Sequence, residues 1–393
     1  MQIVLFVGNG VDLALKLKTG YDDFLDAWLR ETTGEELCVK SKSVLFDVKR
    51  NLLFGRLDGK KLWSDLESAL GALPYDKFRC VAGNQKLIAT AVVNSVSLLQ
   101  SELKNYLSDQ QNRFFVPVKL QGVTRRIFIT ALIRSALTAL SRVSDIVLPD
   151  TIDLDIVSLN YTDSIDKIIG TQAVQEAITI DGKSIGVNIH SVIYAHGKLG
   201  TDYMGFGIDN MNQLTGCKVD NTQFEQCKQL CKRTFVSNAE IRRAESCIGR
   251  ADLLMTYGVS WGETDLSWWR IIFEFLKDQR LLCVCPHVRD FSLIQKYKLE
   301  LKSFAKQRAI RAMLASVRDN GNLSHLTDEL DKKIYIPLIQ NMGVENCIIK
   351  AGDFLGLNAI IGLIEHSRKS VVRRLMGILA KMAEADGKVD SEG

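Results

Sequence analysis

A series of short β-rich runs, separated by stretches of helical periodicity, limits most strongly what this chain can fold into. The apolar run Gln2–Val7 stops at Gly8. "LDIVSLNY" reaches Asn160, "HSVIYAH" ends at His196, and "DLLMTYGVS" ends near Ser260. "LLCVC" covers 281–285 and "NCIIKA" covers 346–351. Runs with little polar alternation suit strands buried on both faces. With helical patterns between most of them, the expectation is an α/β fold with a Rossmann-like, doubly wound, mostly parallel sheet. At 393 residues the chain is long for a single core, so an insertion or a small appended domain is expected as well.

The spacing of apolar residues in "KLIATAVVNSVSLLQSELKNYL" and "RRIFITALIRSALTALSRV" predicts helices. Residues 31–150 therefore read as a helical insertion within a core formed by 1–30 and 151–352. "TGYDDFLDAWLR" predicts a helix with Thr19 as N-cap and Asp22 completing a capping box. Residues 353–393 read as a C-terminal helical appendage. There the apolar segment Phe354–Ile364 precedes Arg368, Lys369, Arg373 and Arg374, a pairing suited to an interfacial helix, an oligomer contact or a partner.

Composition excludes more than it assigns. Apolar residues make up 46% and charged residues 24%, as in an ordinary globular protein. A net charge of +4 is mild for this length and asks for neither a nucleic acid nor an anionic membrane. The nine cysteines are scattered, which points to a reducing, cytoplasmic setting. The first residues enter a strand without a basic leader, and no apolar run reaches the ~18 residues of a spanning helix, so neither signal peptide nor transmembrane segment is expected. Cys217, Cys227, Cys231 and Cys247 have no histidine among them, and no metal is predicted.

In parallel sheets, ligands bind beyond the carboxyl ends of the strands. Gly8-Asn9-Gly10, Asn160, His196-Gly197 and Gly258-Val259-Ser260 all fall at such ends. The glycines of the first loop suit backbone amides cradling a phosphate, or simply a tight strand-to-helix turn. The G-x-G-x-x-G fingerprint is incomplete, because Leu13 follows where the third glycine belongs. Asp12 would repel a phosphate placed directly above it. It suits ribose hydroxyls, or free N–H groups at the start of a helix. Asn160 offers both a donor and an acceptor, and His196 a base near neutral pH. Glu67 shares a helix face with Trp63, where a solvated edge is the plain reading. Glu263 and Asp265 fall in a first helical turn.

The order of these pieces resembles a known family. Gly-Asn-Gly-Val-Asp with "KTGYDDF", then "LWSDLESAL", "SLNYTDSID", "HGKL" and "YGVSWGETD", is similar to the AbiH family of bacterial abortive-infection (antiphage) proteins over most of residues 1–285. The resemblance implies phage defence and raises Glu67 as an acid lent to a pocket by the helical insertion. A more distant resemblance is to sirtuin-like proteins, on Gly8/Gly10, Asn160, His196-Gly197 and Gly258/Ser260. It implies a pocket for NAD or a related nucleotide. Asn160 would orient the ribose or a water, and His196 would act as base on a ribose hydroxyl. Gly258 and Ser260 would line the pocket, with Asp265 as a polar contact. On this reading the Gly8 and Gly10 amides and Asn9 face the phosphates, and Asp12 faces the sugar. Asn9 and Asp12 stand where sirtuins carry Ala and Ser, Thr162 replaces an Asp, and zinc-module cysteine pairs are missing. Glycosidic cleavage by an NAD glycohydrolase-type hydrolase is therefore implied rather than protein deacylation. Two alternatives remain open: a nucleotide-sensing module that relays a signal, and a nucleic-acid-acting effector supported only by the basic stretches "KLELKSFAKQRAIR" and "HSRKSVVRRL".

Overall fold

The computed structural model describes residues 1–30, 44–57, 66–113, 118–141, 147–201, 204–228, 231–232, 238–278, 280–286, 298–317 and 324–337. The strand expected at 346–351 and the appendage 353–393 lie outside them. The strands are β1 (Gln2–Val7), β2 (Thr151–Ser158), β3 (Val174–Ile180), β4 (Lys183–Ile189), β5 (Ile193–Tyr194), β6 (Leu253–Tyr257), β7 (Leu281–Cys285) and β8 (Ile334–Tyr335). The helices are α1 (Gly10–Ala14), α2 (Tyr21–Arg30), α3 (Val44–Leu57), α4 (Leu66–Gly71), α5 (Ile88–Asn112), α6 (Val118–Ser141) and α7 (Ser164–Ile169). After these come α8 (Asn221–Lys228), α9 (Asn238–Arg250), α10 (Leu266–Lys277), α11 (Lys298–Ser316) and α12 (Ser324–Lys333).

The fold is mixed α/β around one sheet of order β3-β4-β2-β1-β6-β7-β8, with β5 paired to the end of β2. Every pairing is parallel except β3 with β4. β1 lies at the centre because Ile3 to Val7 have no polar residue to keep wet; each is at most 1% exposed. Its alternate side chains enter opposite layers. Ile3, Leu5 and Val7 pack with Phe128, Ile129 and Leu132 of α6. Val4 and Phe6 pack with Trp268, Trp269 and Ile272 of α10. Each such buried side chain contributes roughly 1.5–3 kcal/mol. A third cluster lies off the sheet. It joins Phe24 and Trp28 of α2, Leu66 and Leu70 of α4 and Val92, Leu99 and Leu103 of α5 to Tyr161, Leu199 and Phe206.

β2 and β6 flank β1 on opposite sides, so the chain crosses from one side of β1 to the other between them. A crevice opens above the strand ends at such a reversal.

Three details depart from the sequence reading. β3 and β4 form a hairpin across Asp181-Gly182, both at positive φ (50° and 81°), as a type I′ turn requires. "HSVIYAH" contributes only the two-residue β5. Thr19 does not cap α2: the helix starts at Tyr21, and the Thr19 hydroxyl donates to Asn9 Oδ1 at 2.6 Å. The longer reach of that bond ties the Gly loop to the start of α2.

Candidate functional site

The ends of β1, β2, β6 and β7 open into a cavity of about 980 Å³. Gly8, Asn9, Gly10, Asp12, Glu67, Asn160, His196, Gly258, Ser260 and Asp265 all line it, although they are spread over most of the chain. These ten residues, singled out from the sequence as the candidate site, therefore come together at one place.

The glycine loop is built differently from a phosphate cradle. Gly8 N–H donates to the Tyr257 carbonyl at 2.9 Å, and Gly10 N–H donates to the Gly258 carbonyl at 3.0 Å. Both amides are thus closed off by the end of β6 and the loop after it, which corrects the expectation that they face phosphates. The glycines serve a close approach of two backbones. A Cβ on Gly8 would stand 2.6 Å from the Gly258 oxygen. A Cβ on Gly258, which sits at φ +62°, would stand 2.4 Å from the Gly10 Cα.

Asp12 lies inside α1, is 1% exposed and caps nothing. Its two oxygens lie 2.9 and 2.7 Å from the Thr162 hydroxyl, which donates to them. Burial raises its pKa from 3.8 to about 6, and the hydroxyls of Ser164, Thr162 and Thr19 oppose the rise. Thr162, where a sirtuin-like pattern carries an acid, is here the partner that Asp12 needs.

Across the cavity runs a second polar group of residues. Glu67, at 1% exposure, is no solvated edge. Its carboxylate accepts from the Tyr161 hydroxyl at 3.0 Å and pairs with Lys232 Nζ at 2.5 Å. Lys232 also pairs with Asp265 Oδ1 at 3.2 Å, and Asp265 holds His196 Nε2 at 3.1 Å. Burial works against Lys232 charging, but Asp265 and Glu67 outweigh it and hold its pKa well above the usual value. Burial likewise pushes Asp265 up, and the Lys232 ammonium with His196 overrides it, holding the carboxyl well below the ordinary range. Burial and the neighbouring Glu67 raise Tyr161 far above an ordinary phenol. The Tyr161 and His196 rings lie 6.1 Å apart.

Asn160 contrasts with this network. It is 6% exposed, its backbone N–H donates to Ser158 Oγ, and its carboxamide bonds no other described residue. Trp261 stands at φ +56°, unusual for a bulky residue, and packs on Trp269 with centroids 4.6 Å apart. Trp268 and Trp269 are core residues. Among the described residues, no group of three or more His, Cys, Asp or Glu is placed to hold a metal ion.

With the order of these elements and their convergence on one cavity in view, the family comparison is decisive. The model of the family described as "Bacteriophage abortive infection AbiH" matches residues 4–285. This chain belongs to the AbiH family. The matched span runs from β1 to the end of β7, so it contains the glycine loop, Asp12, Glu67, Asn160, His196, Lys232 and Asp265 of this AbiH protein. Neither functionally described proteins nor solved structures give a match. No described helix is long and apolar enough to cross a membrane.

Sequence reasoning missed Tyr161, Lys232 and Thr162 as members of the site. Tyr161 and Thr162 adjoin Asn160, and any residue flanking a strand end was a candidate. Lys232 had no local signal at all, since it follows a helix unrelated to the strand ends.

Proposed function

We propose that this AbiH protein is an antiphage effector with a Rossmann-like, sirtuin-like core, whose cavity takes NAD or a related nucleotide and cleaves its N-glycosidic bond. The reading rests above all on one observation: His196, held by Asp265, and Asn160, whose carboxamide bonds no other described residue, line a single cavity with Asp12 at the ends of parallel strands. A volume of about 980 Å³ is ample for a dinucleotide.

In this mechanism His196 accepts a proton from a ribose hydroxyl, and Asn160 orients the sugar or the attacking water. The carbon–nitrogen bond to nicotinamide breaks, and charge develops on the ribose ring. Asp12, ionised above about pH 6, stabilises that charge in this reading. Water then forms the new carbon–oxygen bond, its proton restores the ribose hydroxyl, and His196 releases the proton it took to solvent, giving ADP-ribose. The phosphates do not lie on the Gly8 and Gly10 amides, since these are already bonded to the end of β6 and the loop after it.

The test is incubation of the purified protein with NAD and chromatographic detection of nicotinamide and ADP-ribose. His196→Ala and Asn160→Ala are each expected to lower turnover by about 10²–10⁴-fold. Turnover unchanged in both variants removes the mechanism. A second reading keeps the ligand and drops the chemistry: Lys232 is held between Glu67 and Asp265 within the chain, which suits a preformed sensing pocket. Calorimetry showing a nucleotide bound and recovered intact favours that reading.

A further inference from the structure

The cavity wall includes a helix that lies outside the matched family span. Leu301, Phe304, Ala305 and Arg308 of α11 line it, spaced i, i+3, i+4 and i+7, so they form one helix face. Phe304 is 63% exposed, a large apolar ring left open to the cavity. Arg308 is exposed and forms no ion pair or hydrogen bond with any described residue.

The charge distribution makes Arg308 distinctive. The cavity is lined by the carboxylates of Asp12, Asp22, Glu67, Glu263 and Asp265. Among its described lining residues, the lysine and arginine side chains are Lys232 and Arg308. Lys232 is held between Glu67 and Asp265. With the Gly8 and Gly10 amides closed as well, Arg308 is, among the described lining residues, the lysine or arginine without a described partner. A guanidinium binds phosphate oxygens in pairs, and an aromatic face one turn away stacks on a planar ring.

Resting on the nucleotide reading above, we infer that α11 is the recognition element for the ligand's nucleotide end, with Arg308 binding its phosphates and Phe304 stacking on its base. The sugar and the scissile bond then lie toward His196, Asn160 and Asp12 at the strand ends, and the phosphates lie at the side of the cavity formed by α11. This orientation keeps the anionic groups away from Asp12.

Isothermal titration of the full chain with ADP-ribose and with adenosine tests the assignment, using wild type, Arg308→Gln and Phe304→Ala. Both positions are exposed, so the variants should fold; identical far-ultraviolet circular dichroism checks this. Wild type is expected to bind ADP-ribose at least about tenfold more tightly than adenosine, from the added charge-assisted hydrogen bonds. Arg308→Gln should abolish that preference and leave adenosine affinity unchanged. Phe304→Ala should weaken both ligands by a similar factor. If the wild type binds ADP-ribose and Arg308→Gln keeps the preference, the role of α11 is overturned while the nucleotide reading stands. If the wild type binds neither ligand, both fall together.

Discussion

Asp12 is the residue at which environment most changes chemistry. Its carboxyl is buried among hydroxyls rather than beside a cation, so its folded pKa rises from 3.8 to about 6. A raised carboxylate pKa favours the protonated form in the fold. The stability it lends is complete below about pH 4 and is lost as pH rises through about 6. At 1.36 kcal/mol per pKa unit the difference is about 3 kcal/mol. Asp12→Asn carries no such titration. The stability of wild type relative to Asp12→Asn should therefore fall by about 3 kcal/mol between pH 4 and pH 7, read from urea denaturation at several pH values. A constant gap across that range would show that Asp12 has an ordinary pKa. Its place in the site was legible from the sequence, because an acid two residues beyond a strand-ending glycine loop is unusual. Its partner was not, because Thr162 lies 150 residues away.

At the scale of elements, the glycine loop after β1 and the loop after β6 form one unit. Two hydrogen bonds and a backbone approach too close for a Cβ join them. Gly258→Ala combines positive φ with a clash against the Gly10 backbone. It is expected to cost about 3 kcal/mol or more. Gly182→Ala in the β3–β4 turn also meets positive φ, but nothing lies within 4 Å of its Cβ, so about 1 kcal/mol is expected. Thermal unfolding of the two variants measures the contrast; equal effects would show that the loop contact is not tight. The sequence reading passed over this hairpin, although Asp-Gly between alternating runs in "VQEAITIDGKSIGVNI" is a strong signal for it. The alternation reflects an edge hairpin with one face in solvent, unlike the continuous runs of the buried strands.

Across the whole molecule, the Glu67–Lys232–Asp265 network is a buried polar link between the helical region and the sheet layer. Glu67 belongs to α4, in the third hydrophobic cluster, and Asp265 stands at the start of α10, in the layer on the sheet. Removing the shared cation leaves two carboxylates without it, the buried Glu67 with the Tyr161 hydroxyl and the half-buried Asp265 with His196. Lys232→Met is expected to destabilise the fold by about 3–5 kcal/mol at pH 7. The loss should shrink as pH falls, because the stranded acids then take up protons. Glu67→Gln should cost less, since Lys232 keeps Asp265. Chemical denaturation of both variants at pH 5 and pH 7 decides the matter; a mild, pH-independent loss in Lys232→Met would show that the network holds nothing together.

What the sequence determined by itself was the local information: which runs become buried strands, which stretches become helices, and which polar residues stand at strand ends. Continuous Val, Ile, Leu and Phe runs can only be buried on both faces, and glycines, Asn160 and His196 after such runs fall where a parallel sheet opens. Only the tertiary structure decided the pairing of Asp12 with Thr162, the burial of Glu67 and the arrival of Lys232 and Arg308 at the cavity. It also decided that the Gly8 and Gly10 amides bond the end of β6 and the loop after it. The physical reason is that ion pairs, burial and backbone packing depend on distances between segments far apart in the chain, and no local pattern encodes those distances.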